Sequence, residues 1–338
     1  PHTVVPATTA ATLTAGSPTS VSGETVGLVA TVSATDSSRT PVGTATFRDG
    51  TTDLGTVALD GAGQARLDTT AVPTGARTLT AVYNGGPDFV GATSPGLAHQ
   101  VSPADVAVTV LSAPDPSSFG SLVTIGVTVA AVSPGSGTPT GTVTIRDGAT
   151  VLAAPTLDAS GQAQVTVSAL AVGGHTLHAD YSGDTDFNTA TGSTIQTVDP
   201  DATTVTVTSS DPTSVYGTPV TISATVAGTG SATPTGAVTF SAGGRILGVV
   251  VLDGTGRAQV SVADILPAGA FVVADYAGDG SFTAGTGQVL QQVAPAATTA
   301  TLAVTPTTPT VADLVTLTAT VASPGATLVP TGVVDFYD

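Results

Sequence analysis

Cysteine, methionine, tryptophan and lysine are all absent from this 338-residue sequence. Without cysteine there is no disulfide framework, no thiolate nucleophile and no cysteine-ligated zinc or iron–sulfur site, and the redox compartment is not legible. Without lysine there is no amine for a Lys–Asn or Lys–Asp isopeptide crosslink, so any stiffness must come from packing and backbone hydrogen bonds. Charge is scarce and one-sided: the seven basic residues are all arginine, 23 of the 24 acids are aspartate, and the formal net charge is −17. Such a surface repels phosphate backbones and anionic lipid headgroups, and no nucleic-acid partner is expected. No run approaches 18 apolar residues, so no membrane insertion is expected in this segment, and no charged-then-apolar leader opens it. Pro1 in a chain without methionine reads as a processed or excised piece.

What the sequence does contain is a repeat. Pro-x-Gly recurs at Pro41, Pro139, Pro234 and Pro330, at spacings of 98, 95 and 96. Leu-Asp-x-x-Gly-x-Ala begins at Leu59, Leu157 and Leu252. Tyr-x-Gly-x-x-x-Phe begins at Tyr83, Tyr181 and Tyr276 and ends at Phe89, Phe187 and Phe282. A Val-x-Pro-x junction separates the units, as in Val101-Ser102-Pro103-Ala104 and Val198-Asp199-Pro200-Asp201. The boundaries that follow are 1–5 for the last strand of a preceding unit and 6–102, 103–199 and 200–294 for three full units. Residues 295–338 are then the first half of a fourth.

Within each unit apolar residues alternate. Val26, Leu28, Ala30 and Val32 share a face in unit one, answered by Val123, Ile125, Val127 and Val129 in unit two. Period two means half-buried strands. Asp49-Gly50 and Asp147-Gly148 suit tight hairpins needing positive φ, and Asp60-Gly61-Ala62-Gly63 suits a longer turn. Seven short strands per unit of about 96 residues read as an all-β, two-sheet sandwich. The terminal half-unit supplies too little buried surface to stand alone.

Candidate sites are few. Asp184 and Asp186, in the Gly183-Asp184-Thr185-Asp186 loop, together with Asp199 and Asp201 at the next junction, are the set that could gather around calcium, which takes six to eight oxygens, yet units one and three offer only Asp88 and Asp279. The alternative reading is turn-forming aspartate. His175 and His178, three apart on a strand, point to opposite faces and cannot chelate one ion, so they read as a solvated surface pair. His178 and Asp180 share the outward face without a third ligand. Neither Gly-x-Ser-x-Gly nor a recurrent Ser, His and Asp set occurs, and the chain is read as not an enzyme, with no catalytic, cofactor-binding or metal residue assigned. Most of the thirteen Phe and Tyr recur in register, as core residues do, leaving Phe271 and Tyr337, too few for a sugar-binding platform.

At Thr138 and Thr233 (Thr-Pro-Thr-Gly-x-Val-Thr-Ile/Phe), at Leu-Asp-x-x-Gly-x-Ala, and over Gly173 to Asp184, the chain resembles the bacterial Ig-like repeat family of group 3. Unit two fits best. Unit one departs at Tyr83-Asn84-Gly85-Gly86, and unit three has Ala270 and Phe271 where the histidine and threonine would fall. The resemblance implies tandem Ig-like domains of an extracellular or cell-surface bacterial protein, used as a stalk, filament or adhesin arm in an extended rod. A carbohydrate- or protein-binding module is the alternative, as is the linker array of a secreted enzyme or a phage fibre. The partners expected are neighbouring domains of the same chain, with self-association or a host or matrix ligand left open.

Overall fold

The computed structural model describes residues 5–265, 269–324 and 329–337. The strand expected over 1–5 lies outside these residues except for Val5. Among the described residues every regular element is a β-strand, and they form three sandwiches followed by a hairpin.

Sandwich one contains β1 (Thr9–Ala15), β2 (Thr19–Val21), β3 (Val26–Ala34), β4 (Thr44–Asp49), β5 (Thr52–Ala58), β6 (Gln64–Thr69), β7 (Gly75–Tyr83), β8 (Ala92–Thr93) and β9 (Leu97–Ser102). Sandwich two contains β10 (Val106–Ala113), β11 (Ser117–Ser118), β12 (Val123–Ala131), β13 (Val143–Asp147), β14 (Thr150–Ala153), β15 (Gln162–Val167), β16 (Gly173–Tyr181) and β17 (Ala190–Asp199). Sandwich three contains β18 (Thr203–Ser209), β19 (Thr213–Val215), β20 (Val220–Gly228), β21 (Ala237–Ala242), β22 (Arg245–Val251), β23 (Arg257–Val262), β24 (Ala270–Tyr276) and β25 (Gly285–Ala294). β26 (Thr299–Thr305) and β27 (Thr316–Ala322) make the hairpin.

Each sandwich pairs a three-stranded antiparallel sheet with a larger one. In sandwich three the orders are β18-β20-β23 and β19-β25-β24-β21-β22, and sandwiches one and two repeat this arrangement. Alternation builds the core: along β20, Val220, Ile222, Ala224 and Val226 are buried while their neighbours are not. Phe47, Ile145 and Phe240, at one repeat position, are each completely buried.

The structure corrects the strand count. Seven strands were expected, whereas the first strand of each unit divides in two, and sandwich one adds the two-residue β8. Proline at the break supplies the reason: Pro18, Pro114, Pro116 and Pro212 have no N–H to continue the antiparallel ladder. The chain therefore crosses to the other sheet, where β2, β11 and β19 pair parallel with β9, β17 and β25.

The Leu-Asp-x-x-Gly motif now has a structural cause. Asp60 Oδ1 accepts hydrogen bonds from the Ala62 and Gln64 amides, and Asp158 and Asp253 repeat the pattern. Gly63, Gly161 and Gly256 have φ of 75°, 73° and 75°. A Cβ on them would lie 2.5–2.6 Å from a carbonyl oxygen of the neighbouring strand, so a side chain is excluded both by backbone conformation and by space.

By proximity the chain falls into two compact units, 1–115 with 123–167 and 174–196, and 116–122 with 168–173 and 197–338. Segment 116–122, which contains β11, and segment 168–173 therefore fall in the same unit as sandwich three.

Truncating Phe240, which fills the centre of sandwich three, to alanine should destabilise that sandwich by about 3–5 kcal/mol. Phe336 stands at the same repeat position but is 48% exposed. Denaturant unfolding of the full chain is expected to show a shifted transition for Phe240→Ala and none for Phe336→Ala.

Candidate functional site

Of the aspartates singled out for calcium, Asp184 and Asp201 are held by hydrogen bonds within their own domains, Asp186 accepts from Thr74 of the preceding domain, and Asp199 is exposed. Asp184 Oδ2 accepts from the Thr140 amide and hydroxyl, and Oδ1 from the amides of Asp186 and Phe187. Asp279 does the same in sandwich three with Thr235, Ser281 and Phe282. Asp201, buried, receives the Thr229 amide and hydroxyl and the Gly230 amide. Burial pushes the carboxyl of Asp279 up, but the donors from Thr235, Ser281 and Phe282 outweigh it and hold it at about 2. Asp184 and Asp201 are lowered in the same way, burial again opposing the hydrogen bonds. These carboxylates close loops. Among the described residues no three acidic or histidine side chains converge as metal ligands would.

The histidine expectation needs correcting. His175 is not solvated: its side chain is only 12% exposed, and Nδ1 lies 2.7 Å from Asp147 Oδ2. It occupies the place held in sandwich one by Arg77, whose Nη1 is 3.5 Å from Asp49. His178 lies across the strand pair from Arg146. Asp180 receives Arg146 Nε at 2.6 Å and the Thr191 hydroxyl at 2.9 Å. The pairs are therefore His175 with Asp147 and Arg146 with Asp180, two separate contacts on opposite faces of the sheet.

One recurrent polar position escaped the sequence reading. His99, Gln196 and Gln291 are all buried, each two residues before a buried valine, Val101, Val198 and Val293. Each touches the segment where the first strand changes sheets. His99 Nε2 lies 2.9 Å from Ser20 Oγ, and Gln196 Nε2 donates to Pro114 O at 3.0 Å. Gln291 Nε2 donates to Asp211 O at 2.7 Å and its Oε1 accepts from Ser209 Oγ at 2.6 Å. Aligning the repeats on the final valine would have exposed the pattern.

Contacts also join consecutive sandwiches inside each compact unit. In the first, Ser136 Oγ donates to Gly23 O at 2.6 Å, and Thr74 Oγ1 donates to Asp186 Oδ1 at 2.5 Å. In the second, the ring of Phe119 meets Phe282 edge-on, with centroids 5.8 Å apart.

The family model for bacterial Ig-like domains of group 3 matches residues 13–102, 109–199 and 205–294. The chain belongs to that family. Its three group 3 Ig-like domains coincide with the three sandwiches, and domains of this family are typically non-catalytic. No curated protein matches the sequence significantly. Among solved structures, the chain is similar to the fibronectin(III)-like modules of Clostridium thermocellum CbhA. There the identity is 21%, with 55% of this chain and 94% of that one covered and a TM-score of 0.24. It is similar to the Escherichia coli adhesin FdeC at 13% identity, covering 84% and 96%, with a TM-score of 0.29. Three N-terminal domains of the bacteriophage RB49 outer capsid protein Hoc give 12% identity, 85% and 98% coverage, and a TM-score of 0.26. The fold assignment rests on the family match. Among the described residues no helix is long and apolar enough to cross a membrane.

The Asp279 loop of the third Ig-like domain gives a pH test. Its folded-state value lies below the ordinary 3.8, so its stabilisation is complete above about pH 4 and is lost as pH falls through about 2. Because the group is partly exposed, the effect should be on the order of 1 kcal/mol. Urea unfolding between pH 5 and 2 is expected to show Asp279→Asn less stable at pH 5 and converging on the unsubstituted chain by pH 2.

Proposed function

We propose that this chain is a non-catalytic spacer in an extracellular or cell-surface bacterial protein, holding other parts of that protein at a distance. The observation that carries the reading is the joint between Ig-like domains. β9 ends at Ser102 and β10 begins at Val106, β17 ends at Asp199 and β18 begins at Thr203, with Pro103 and Pro200 in the joints. Three-residue joints containing proline leave little slack, since proline fixes φ and drives the preceding residue extended. The Ser136–Gly23 and Phe119–Phe282 contacts support the reading further. The carboxylates of Asp184, Asp201 and Asp279 are engaged in closing loops, and the acidic surface keeps neighbouring copies soluble.

Strands of about eight residues at roughly 3.3 Å each, plus end loops, give a reach of about 40 Å per domain. A spacer of three domains should then show a maximum dimension on the order of 120 Å in small-angle scattering of the full chain. A particle below about 80 Å would overturn the spacer reading. A glycan array probed with the full chain is expected to stay blank, and specific retention would turn the assignment toward a binding module.

A further inference from the structure

The outer face of the larger sheet differs among the three domains at equivalent positions. In domain one it is polar: Arg48 Nε donates to Asp53 Oδ1 at 2.7 Å, beside Thr78 and Thr80. In domain two Arg146 pairs with Asp180, flanked by His178 and Thr176. Domain three has Ser241 at the arginine position, with Val273 opposite it on one side and Ile246 on the other. Phe271 and Leu290 face each other across β24 and β25, and Val249 lies opposite Thr239. Val251, opposite Ala237, completes the row along β22.

These side chains share one face. Antiparallel partners point to the same side of a sheet, and residues two apart on a strand do likewise. Five of them are 44–71% exposed: Ile246, Val249, Val251, Phe271 and Leu290. Together they present on the order of 500 Å² of apolar side-chain surface. Domain two also exposes Val151 and Ile195, but Arg146 and His178 stand between them on that face. Among the described residues, the one ionised group on the domain-three face is Asp275, which accepts from the Thr286 hydroxyl at 2.8 Å. Arg245, the first residue of β22, lies opposite Ala242 and so belongs to the other side of the sheet, where it pairs with Asp264.

We propose that this face is a homodimer contact, the outer sheet of domain three meeting the same face of a second copy about a two-fold axis. Two arguments select a second copy. Two such faces together cover about 1,000 Å², the lower limit for a specific interface. Among its described residues the face also carries no cation to attract an acidic partner and no carboxylate row to attract a basic one. On a chain of net charge −17 it is a surface where two copies meet without opposing arrays of carboxylates, and apolar burial can then exceed the screened repulsion. This goes beyond the spacer reading, adding side-by-side pairing to a segment otherwise read as a passive strut.

Sedimentation equilibrium of the full chain tests it at 0.05 and 0.5 M NaCl. A monomer–dimer equilibrium in the micromolar range is expected, tighter at the higher salt as repulsion is screened. Ser241→Arg, which restores the residue of domains one and two, should weaken it at least tenfold while leaving thermal unfolding unchanged. Phe271→Thr, the residue of Thr78 and Thr176, should do the same. Ile195→Thr, on the outer face of domain two, should leave dimerisation unaltered. A chain that stays monomeric at 0.5 M NaCl overturns the proposal, as does a dimer that survives both domain-three substitutions. The second result would move the contact elsewhere, for instance to the exposed hairpin of β26 and β27. Neither result bears on the length measured by scattering, so the two readings fail separately.

Discussion

Each domain is closed by its first strand, which pairs with one sheet, breaks at proline and finishes on the other. That seam matters because there is no disulfide to hold the sheets together. The parallel stretches it forms are short, Thr213 to Val215 against Gln292 to Ala294 in domain three, and parallel pairing over two or three residues contributes little. The buried side chain at His99, Gln196 or Gln291 reinforces the seam from inside. At Gln291 the amide bonds Asp211 O, immediately before the proline that interrupts the ladder. The amide supplies a donor to a carbonyl beside the proline that interrupts the ladder, so the clip and the break belong together. Directly after the seam come Ser22–Gly23 and Phe119, the residues that meet the following domain. Closure of one domain and contact with the next thus pass through the same few residues.

What could be read from sequence was local. Alternation identified the buried faces because burial in a half-exposed strand has period two, and the Asp-x-x-Gly turns announced themselves because only glycine accepts their positive φ next to a carbonyl. The strand division was missed, although its prolines were visible, because nothing local says that an interrupted strand will resume on the opposite sheet. The pairing of His175 with Asp147 was missed for a related reason. The two lie 28 residues apart, and their contact depends on the register of β13 against β16. The apolar face of domain three was equally hidden: Ile246 and Val249 share a side only because of the irregularity between Phe240 and Ser241, which a simple alternation would not place.

Comparison of the domains separates positions that maintain the fold from positions free to change. At the centre of the core the residues vary in size, as when Phe47 and Phe240 flank an isoleucine, Ile145, at the same place. Outward positions vary in charge. The Arg48–Asp53 pair is 40% and 58% exposed, and exposed ion pairs typically contribute 0–1 kcal/mol. Losing such a pair therefore costs the fold little, and replacing it with valine, isoleucine or phenylalanine costs the folded state little more, because the face was never part of the core. What changes is the surface offered to other molecules. In a chain whose interior is repeated three times with small variations, differences on the outer sheet are where one domain can acquire a role that its neighbours lack.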